Sequence, residues 1–359
     1  MPNQPCIVLS VAASCAAQVL AQVPQTLVVP AAYSTQDAVS SLWIAGGSAE
    51  VRQQTLVGAS HLGALVGRSL TALELRRSAA DETYQGGEAH LAVTVSTSPN
   101  APLACSQAFA GNVGNDAVQV FDGTVTIPTS PPAVGPSVGW TPDNTVRIAF
   151  QSPFVYLGGT LCIDVIGQPV AGQAAGWWVA DAEFEDLEGT VVEVGDGCGS
   201  YGGPHHRWSY VAERSLLPGA FARFWAHGTP NSLGLAAFGC ASPPIPLTAL
   251  GLPSPGCNLF LGSLDALLPA VFEPEVHPLL AGVATAEVRV KIPNDVAVFG
   301  TTFTTQWLEW AQLATSNAIQ WTVAGSIPTL DMAVIEGHPA EATGEVAVHM
   351  AHVLRFEAQ

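Results

Sequence analysis

Asp181, Glu183 and Glu185 occupy alternate positions just after Trp177-Trp178, within the acidic run 181–188. On an extended strand that spacing puts the three carboxylates on one face. Two carboxylates about 5–9 Å apart can serve as the acid and base of a glycosidase, with tryptophans as sugar platforms. Any acidic solvent face of an antiparallel strand gives the same alternation. A second cluster, His205-His206, stands beside Arg207 and Trp208 and near Asp196 and Cys198. It could hold a transition metal or a ligand, or be a solvated loop whose Trp208 plugs a domain junction. A third set, Asn112, Asn115, Asp116 and Asp122, offers oxygen ligands to a structural calcium. Asn-Asp and Asp-Gly pairs are also ordinary turn formers. His349 and His352, three apart on a predicted strand, fall on opposite faces and cannot share one metal. No HExxH or P-loop motif occurs in the sequence, and no catalytic residue is assigned.

The elements that must carry these groups are short. Of 359 residues, 35 are Gly and 27 Pro, 48% are hydrophobic and only 11% charged, against about 25% charged in ordinary domains. Many apolar segments cut by Gly, Pro, Ser and Thr indicate an all-β protein of two domains. Leu91, Val93 and Val95 alternate with Ala92, Thr94 and Ser96, and Thr71, Leu73 and Leu75 with Ala72, Glu74 and Arg76. About seven such strands between residues 26 and 166 make a sandwich of jelly-roll type. Val288, Val290 and Ile292 against Glu287, Arg289 and Lys291 belong to a second one. The stretch 344–356 reads as one long strand with Val346, Val348, Met350, His352, Leu354 and Phe356 on one face.

The net charge of −18 leaves little to neutralise phosphates, so nucleic acid is excluded as a partner. Residues 1–21 read as a signal peptide cleaved after Ala21, with an apolar core too short to span a membrane; a buried N-terminal element is the alternative. Five cysteines then remain, and in an exported chain these are disulfide candidates. Cys240 with Cys257 would close a Pro-rich loop, and Cys105 with Cys162 is a second pair, leaving Cys198 odd. No cysteine spacing suits zinc.

The motifs RQQTLVGASHL, HLAVTVSTSPNAPLACSQAFAGNVGNDAVQVFDGTVTIP and SPFVYLGGTLCIDVIG resemble a sandwich module of exported planctomycete proteins and of proteins carrying a PEP-CTERM sorting tail. The segments GWWVADAEFEDLEGTVVEVGDGC, VRVKIPNDVAVFGTTFTTQWLEW and AIQWTVAGSIPTL extend the resemblance through a connecting portion into a C-terminal sandwich. The resemblance implies export and a two-sandwich fold, without an assigned activity. The chain ends in HVLRFEAQ and shows no sorting tail.

The expectation is therefore two tandem β-sandwiches, residues 22–168 and 235–359. Residues 169–234 would connect them and partly complete the first. The protein would act non-enzymatically at the cell surface, in the extracellular matrix or in the periplasm, as a structural or adhesive component. It would need no cofactor beyond a calcium in the Asn115 loop. Self-association through the 344–356 strand would serve that role. A glycan is the alternative partner, bound near Trp177, Trp178, His205, His206 and Trp208; hydrolysis by the 181–188 carboxylates is a third reading. No membrane span is expected in the mature chain.

Overall fold

The computed structural model describes residues 25–38, 40–47, 49–171, 178–201, 209–274 and 284–359. The predicted signal segment and the candidate residues Trp177, His205, His206 and Trp208 lie outside the described residues. Strands and short 3-10 turns account for the regular structure. The first strands are β1 (Gln25–Val29), β2 (Ser40–Trp43), β3 (Val51–Val57), β4 (Arg68–Arg76), β5 (Gly87–Ser98) and β6 (Val118–Ile127). There follow β7 (Thr145–Tyr156), β8 (Thr160–Pro169), β9 (Val179–Phe184), β10 (Thr190–Val194), β11 (Ser209–Val211) and β12 (Phe221–Gly228). Next come β13 (Leu233–Gly239), β14 (Ala241–Pro246), β15 (Asn258–Leu261), β16 (Ala266–Val271), β17 (Glu273–Pro274) and β18 (Ala284–Lys291). The last six are β19 (Thr302–Glu309), β20 (Ala314–Thr322), β21 (Met332–Gly337), β22 (Glu345–Ala347), β23 (Met350–His352) and β24 (Leu354–Ala358).

The architecture is all-β and built of sandwiches, as the alternation predicts. The first sandwich packs the sheet β1-β24-β4-β7 against β22-β21-β3-β8-β5-β6. Leu91, Val93 and Val95 all point into its core, with Leu73, Ile148, Ile163, Leu354 and Phe356. A small sheet, β2-β9-β23, adds Ala180 and Ala351 to the same core. The second sandwich pairs β10-β20-β19-β13-β16 with β11-β12-β18-β17 around Phe224, Phe272, Trp307, Ile319 and Trp321. Its strand β18 buries Val288 and turns Glu287 and Arg289 outward, again as the pattern predicts. A third apolar cluster joins the two units: Leu56, Phe109, Ile335 and Val348 meet Leu217, Ala220 and Ala324.

Three expectations are corrected. First, residues 332–358 do not belong to the second sandwich. β21 pairs with β3, and β24 inserts between β1 and β4, where burying Leu354 and Phe356 stabilises the sheet by ~1.5–3 kcal/mol each. The second unit is nested within the first rather than following it. Second, 344–356 is not one strand with a free edge. It is broken into β22, β23 and β24, each in a different sheet, and β24 is paired on both sides. Backbone groups already in a ladder cannot recruit another chain, so β-augmentation along the whole stretch is ruled out. Third, the disulfide joins Cys198 to Cys257, leaving Cys240 an exposed thiol. Cys105 and Cys162 are thiols in the apolar cluster between the sandwiches, and burial pushes them up to about 11 and about 12. Cys240 cannot reach Cys257 because it lies at the open end of the β14–β15 hairpin, opposite Gly262, whereas Cys257 lies at the turn end beside Leu247.

Adjacent arginines on β4 and just beyond it, Arg76 and Arg77, are both almost fully buried. Arg76 ion-pairs with Asp181 on β9 and lies 3.4 Å from Asp37. It also donates to the carbonyls of Gln36 (2.7 Å), Val138 (3.1 Å) and Tyr33 (3.2 Å). Arg77 donates to the carbonyls of Ser78, Ala80 and Pro131, with its guanidinium 3.9 Å over the Tyr84 ring. The two side chains thereby fasten the 33–38, 78–82 and 130–138 loops to the sandwich.

Two outcomes follow from this packing. Arg76→Leu alone should cost about 3–5 kcal/mol in denaturant unfolding, because Asp181 is left buried and unpaired. The double variant Arg76→Leu/Asp181→Leu should lose clearly less, and equal losses would refute the pairing argument. Replacing Cys198 or Cys257 by Ser should each cost roughly 4 kcal/mol, for a bridge spanning 59 residues. Cys240→Ser should leave the unfolding midpoint unchanged, and non-reducing peptide mapping reads the bond directly.

Candidate functional site

The acidic run after Trp178 does not form a catalytic cleft. Asp181 is wholly buried, accepting from Arg76 and from the Ala38 amide at 2.9 Å. Burial raises its carboxyl to about 6 against the pull of those two partners. Glu185 accepts from the amide of Thr329 at 2.8 Å and from its hydroxyl, and so ties the 325–331 loop to the sheet. Trp178 is fully buried, donating from Nε1 to the Ser130 hydroxyl at 3.2 Å beside Tyr84. It is a core residue and offers no ring face to a sugar.

The 112–122 oxygen groups are likewise dispersed. The Asn112 amide is buried and fully used: Oδ1 accepts from Ser106 N (2.8 Å) and Asn100 (3.1 Å), and Nδ2 donates to Gln54 and Ser106 O. Asp116 accepts from Thr97 N at 2.8 Å, Asn115 is exposed beside it, and Asp122 sits on β6 opposite Ala92, 3.3 Å from His90. Among the described residues no three of His, Cys, Asp and Glu come together as a metal-binding group. His349 stacks edge-on against Phe184. His352 is buried with Nε2 at 3.2 Å from the Trp43 carbonyl, and burial lowers it to about 4.

Carboxylates, an aromatic ring and an imidazole do converge elsewhere. β21 and β22 form a hairpin whose register sets Glu336 directly opposite Glu345. Directly opposed side chains on one sheet face start only ~4.5–5.5 Å apart at Cβ. Across from them, β2 ends at Trp43, whose ring is 43% exposed. Alternation along Ser40–Trp43 turns Leu42 inward and Trp43 outward. Between these elements lies a crevice of ≈ 460 Å³, lined among others by Trp43, Glu50, Glu336, His338, Glu345 and Met350.

Each carboxylate is held by a named donor. Gln53 Nε2 donates to Glu336 Oε2 at 3.0 Å, and Gln168 Nε2 to Glu50 Oε1 at 2.9 Å. Glu345 ion-pairs with Arg223, which reaches over from β12 of the second sandwich and also forks onto Glu287 at 3.1 Å. One of the crevice's carboxylates is therefore held by the nested unit. Burial raises the Glu336 carboxyl above the usual carboxylate range; the Gln53 hydrogen bond opposes this and the nearby Glu345 charge adds to it. His338 Nδ1 accepts from Ala340 N at 3.2 Å, so the neutral ring carries its proton on Nε2 as a donor. An indole face beside fixed acceptors and one imidazole donor suits the C–H face and hydroxyls of a sugar.

Sequence reasoning missed this set because Trp43 and Glu50 lie far in the chain from Glu336, His338 and Glu345. The one local signal was E-G-H-P followed by T-G-E (336–339 and 343–345), turn formers between two carboxylates, which reads as a hairpin bringing the acids together. The chain matches no protein-family model, no curated protein and no solved structure.

Glu336→Gln should stabilise the protein at pH 7. A folded pKa above the unfolded value means the group's stability contribution is lost as pH rises through it. The gain should be below ~1 kcal/mol for a partly exposed group and should shrink as pH falls to 4, where the unfolded carboxyl is itself mostly protonated. A gain of equal size at both pH values in thermal melts would show that the charge plays no part.

Proposed function

We propose that this is an exported, non-enzymatic protein of the cell surface or extracellular matrix that adheres by holding a glycan in the Trp43 crevice. The observation that carries the reading is the half-exposed Trp43 ring facing Glu50, Glu336 and Glu345. Carboxylates fixed by Gln168, Gln53 and Arg223 present preset acceptors, and rigid aromatic area costs little conformational entropy on binding. The Cys198–Cys257 bond supports the exported setting, since such bonds persist in oxidising compartments. The planctomycete-type motifs point the same way. Among the described residues no helix is long and apolar enough to cross a membrane. A calcium at Asn115-Asp116 would act through the first sandwich's loop end rather than in the crevice.

A glycan array probed with the full chain, with and without calcium, tests the reading. At least one class of glycan should bind, and Trp43→Ala should weaken it by about tenfold, equivalent to ~1.4 kcal/mol. The far-UV circular dichroism should not change. An array without a ligand under both conditions, or full affinity in Trp43→Ala, would end the proposal.

A further inference from the structure

The outer face of the sheet β10-β20-β19-β13-β16 carries an unusual lid. The hairpin of β14 and β15, with its 3-10 turn Leu247–Leu250, folds over it and leaves a pocket of ≈ 430 Å³. Small-molecule sites run from about 300 to 1,000 Å³. Leu235, Leu267 and Leu308 come from the sheet, and Leu247, Leu259 and Leu261 from the hairpin. At the rim Trp310 is 58% and Leu264 65% exposed, so apolar surface is left to water where the pocket opens. Among the described residues no Asp, Glu, Lys, Arg or His lines it.

Of its polar side chains, Gln306, Thr315 and Ser263 are already committed, while the Trp307 indole N–H meets no acceptor. Gln306 donates to the carbonyls of Asn258 (2.9 Å) and Ser316 (2.8 Å) and accepts from Phe260 N (2.9 Å). Thr315 donates to Asn258 O at 3.0 Å. Ser263 accepts from Cys240 N at 2.9 Å and donates to Asp265 at 3.2 Å. The lid is pinned at its turn end, where Leu247 N donates to Cys257 O at 2.9 Å and Cys257 is bonded to Cys198. The cavity is thus held open rather than left to collapse.

We propose that this pocket binds one aliphatic chain of a free, uncharged amphiphile. A peptide would bring several amide groups against a lining whose one unpartnered donor is the Trp307 N–H, at a cost that hydrocarbon does not incur. An anionic head would meet Asp265 at the rim and a chain of net charge −18. What remains complementary is a neutral alkyl chain with its head at the Trp310 opening.

Titration of the full chain with hexanol, octanol, decanol and dodecanol, read by calorimetry and tryptophan fluorescence, tests this. Binding should be one-to-one, rising about fourfold for each added methylene and levelling off once the pocket is filled. Decanoate should bind at least tenfold more weakly than decanol. Leu267→Arg should weaken decanol at least tenfold, with Leu264→Arg at the rim as the second variant should the first not fold. Trp43→Ala should leave decanol binding intact, so the glycan reading and this one stand or fall separately. Non-saturable binding, no levelling with length, or full affinity in both arginine variants would overturn the proposal. So would a ligand-free dimer dissociated by Leu264→Arg, which would make a second copy the occupant. Co-sedimentation with phosphatidylcholine vesicles that Leu264→Arg abolishes would overturn it too, in favour of a bilayer surface.

Discussion

The insertion of β24 between β1 and β4 is the pairing on which the rest depends. Without it the first sandwich would have a gap in one sheet, and Leu354, Phe356 and Ala358 would leave its core. The pairing also fixes the path of the chain, since the second sandwich, whose strands run from residue 190 to 322, lies between the two parts of the first. Closing so long a loop costs entropy that grows only slowly with length. The shared cluster of Phe109, Ile335, Leu217 and Ala324 helps to offset it. The crevice is a product of that closure: Glu336 and Glu345 ride on the returning hairpin, and Arg223 arrives from the nested unit.

With so few charges in the chain, those that are buried have definite tasks. Arg76 and Arg77 satisfy loop carbonyls that no strand partner reaches, which an irregular segment packed on a core requires. Glu74, buried on β4, likewise faces Arg355 and, at 3.5 Å, Arg147. Such groups add little net stability over apolar replacements, but each leaves a costly charge behind if its partner is lost. Their effect is to specify which loop lies where. Sandwich strands alone, with similar apolar patterns, specify this poorly.

Strand existence was legible because side-chain alternation is a local property: β5 and β18 bury the residues that the pattern names. Sandwich class followed from it. Strand partnership was not legible, because β24 carries the same alternation whether it pairs with β20 or with β1. The break of 344–356 into three strands was not legible either, since Val348 continues the apolar alternation between β22 and β23 and Leu354 resumes it in β24. The acids at 181–185 looked functional by spacing, and only burial showed Asp181 to be a partner of Arg76. The disulfide was misassigned for a related reason: loop closure ranks nearby cysteines, while Cys198 meets Cys257 through the nested sandwich.

The register of β1 and β24 has a mechanical consequence. Gln25 is opposite Ala358, so both flanks of the fold leave from one corner of one sheet. Tension applied between those flanks would load the ladder by peeling, one rung after another, rather than by shearing all its rungs together. Thr190 is opposite Thr322 in the same way, so the nested sandwich hangs from a single paired stem. Pulled from residues 25 and 358, the five rungs from Gln25 to Val29 would part first. The nested sandwich would carry no load while the first still stood. This places a weak fuse at the flanks and leaves both ligand-sized cavities outside the initial line of force.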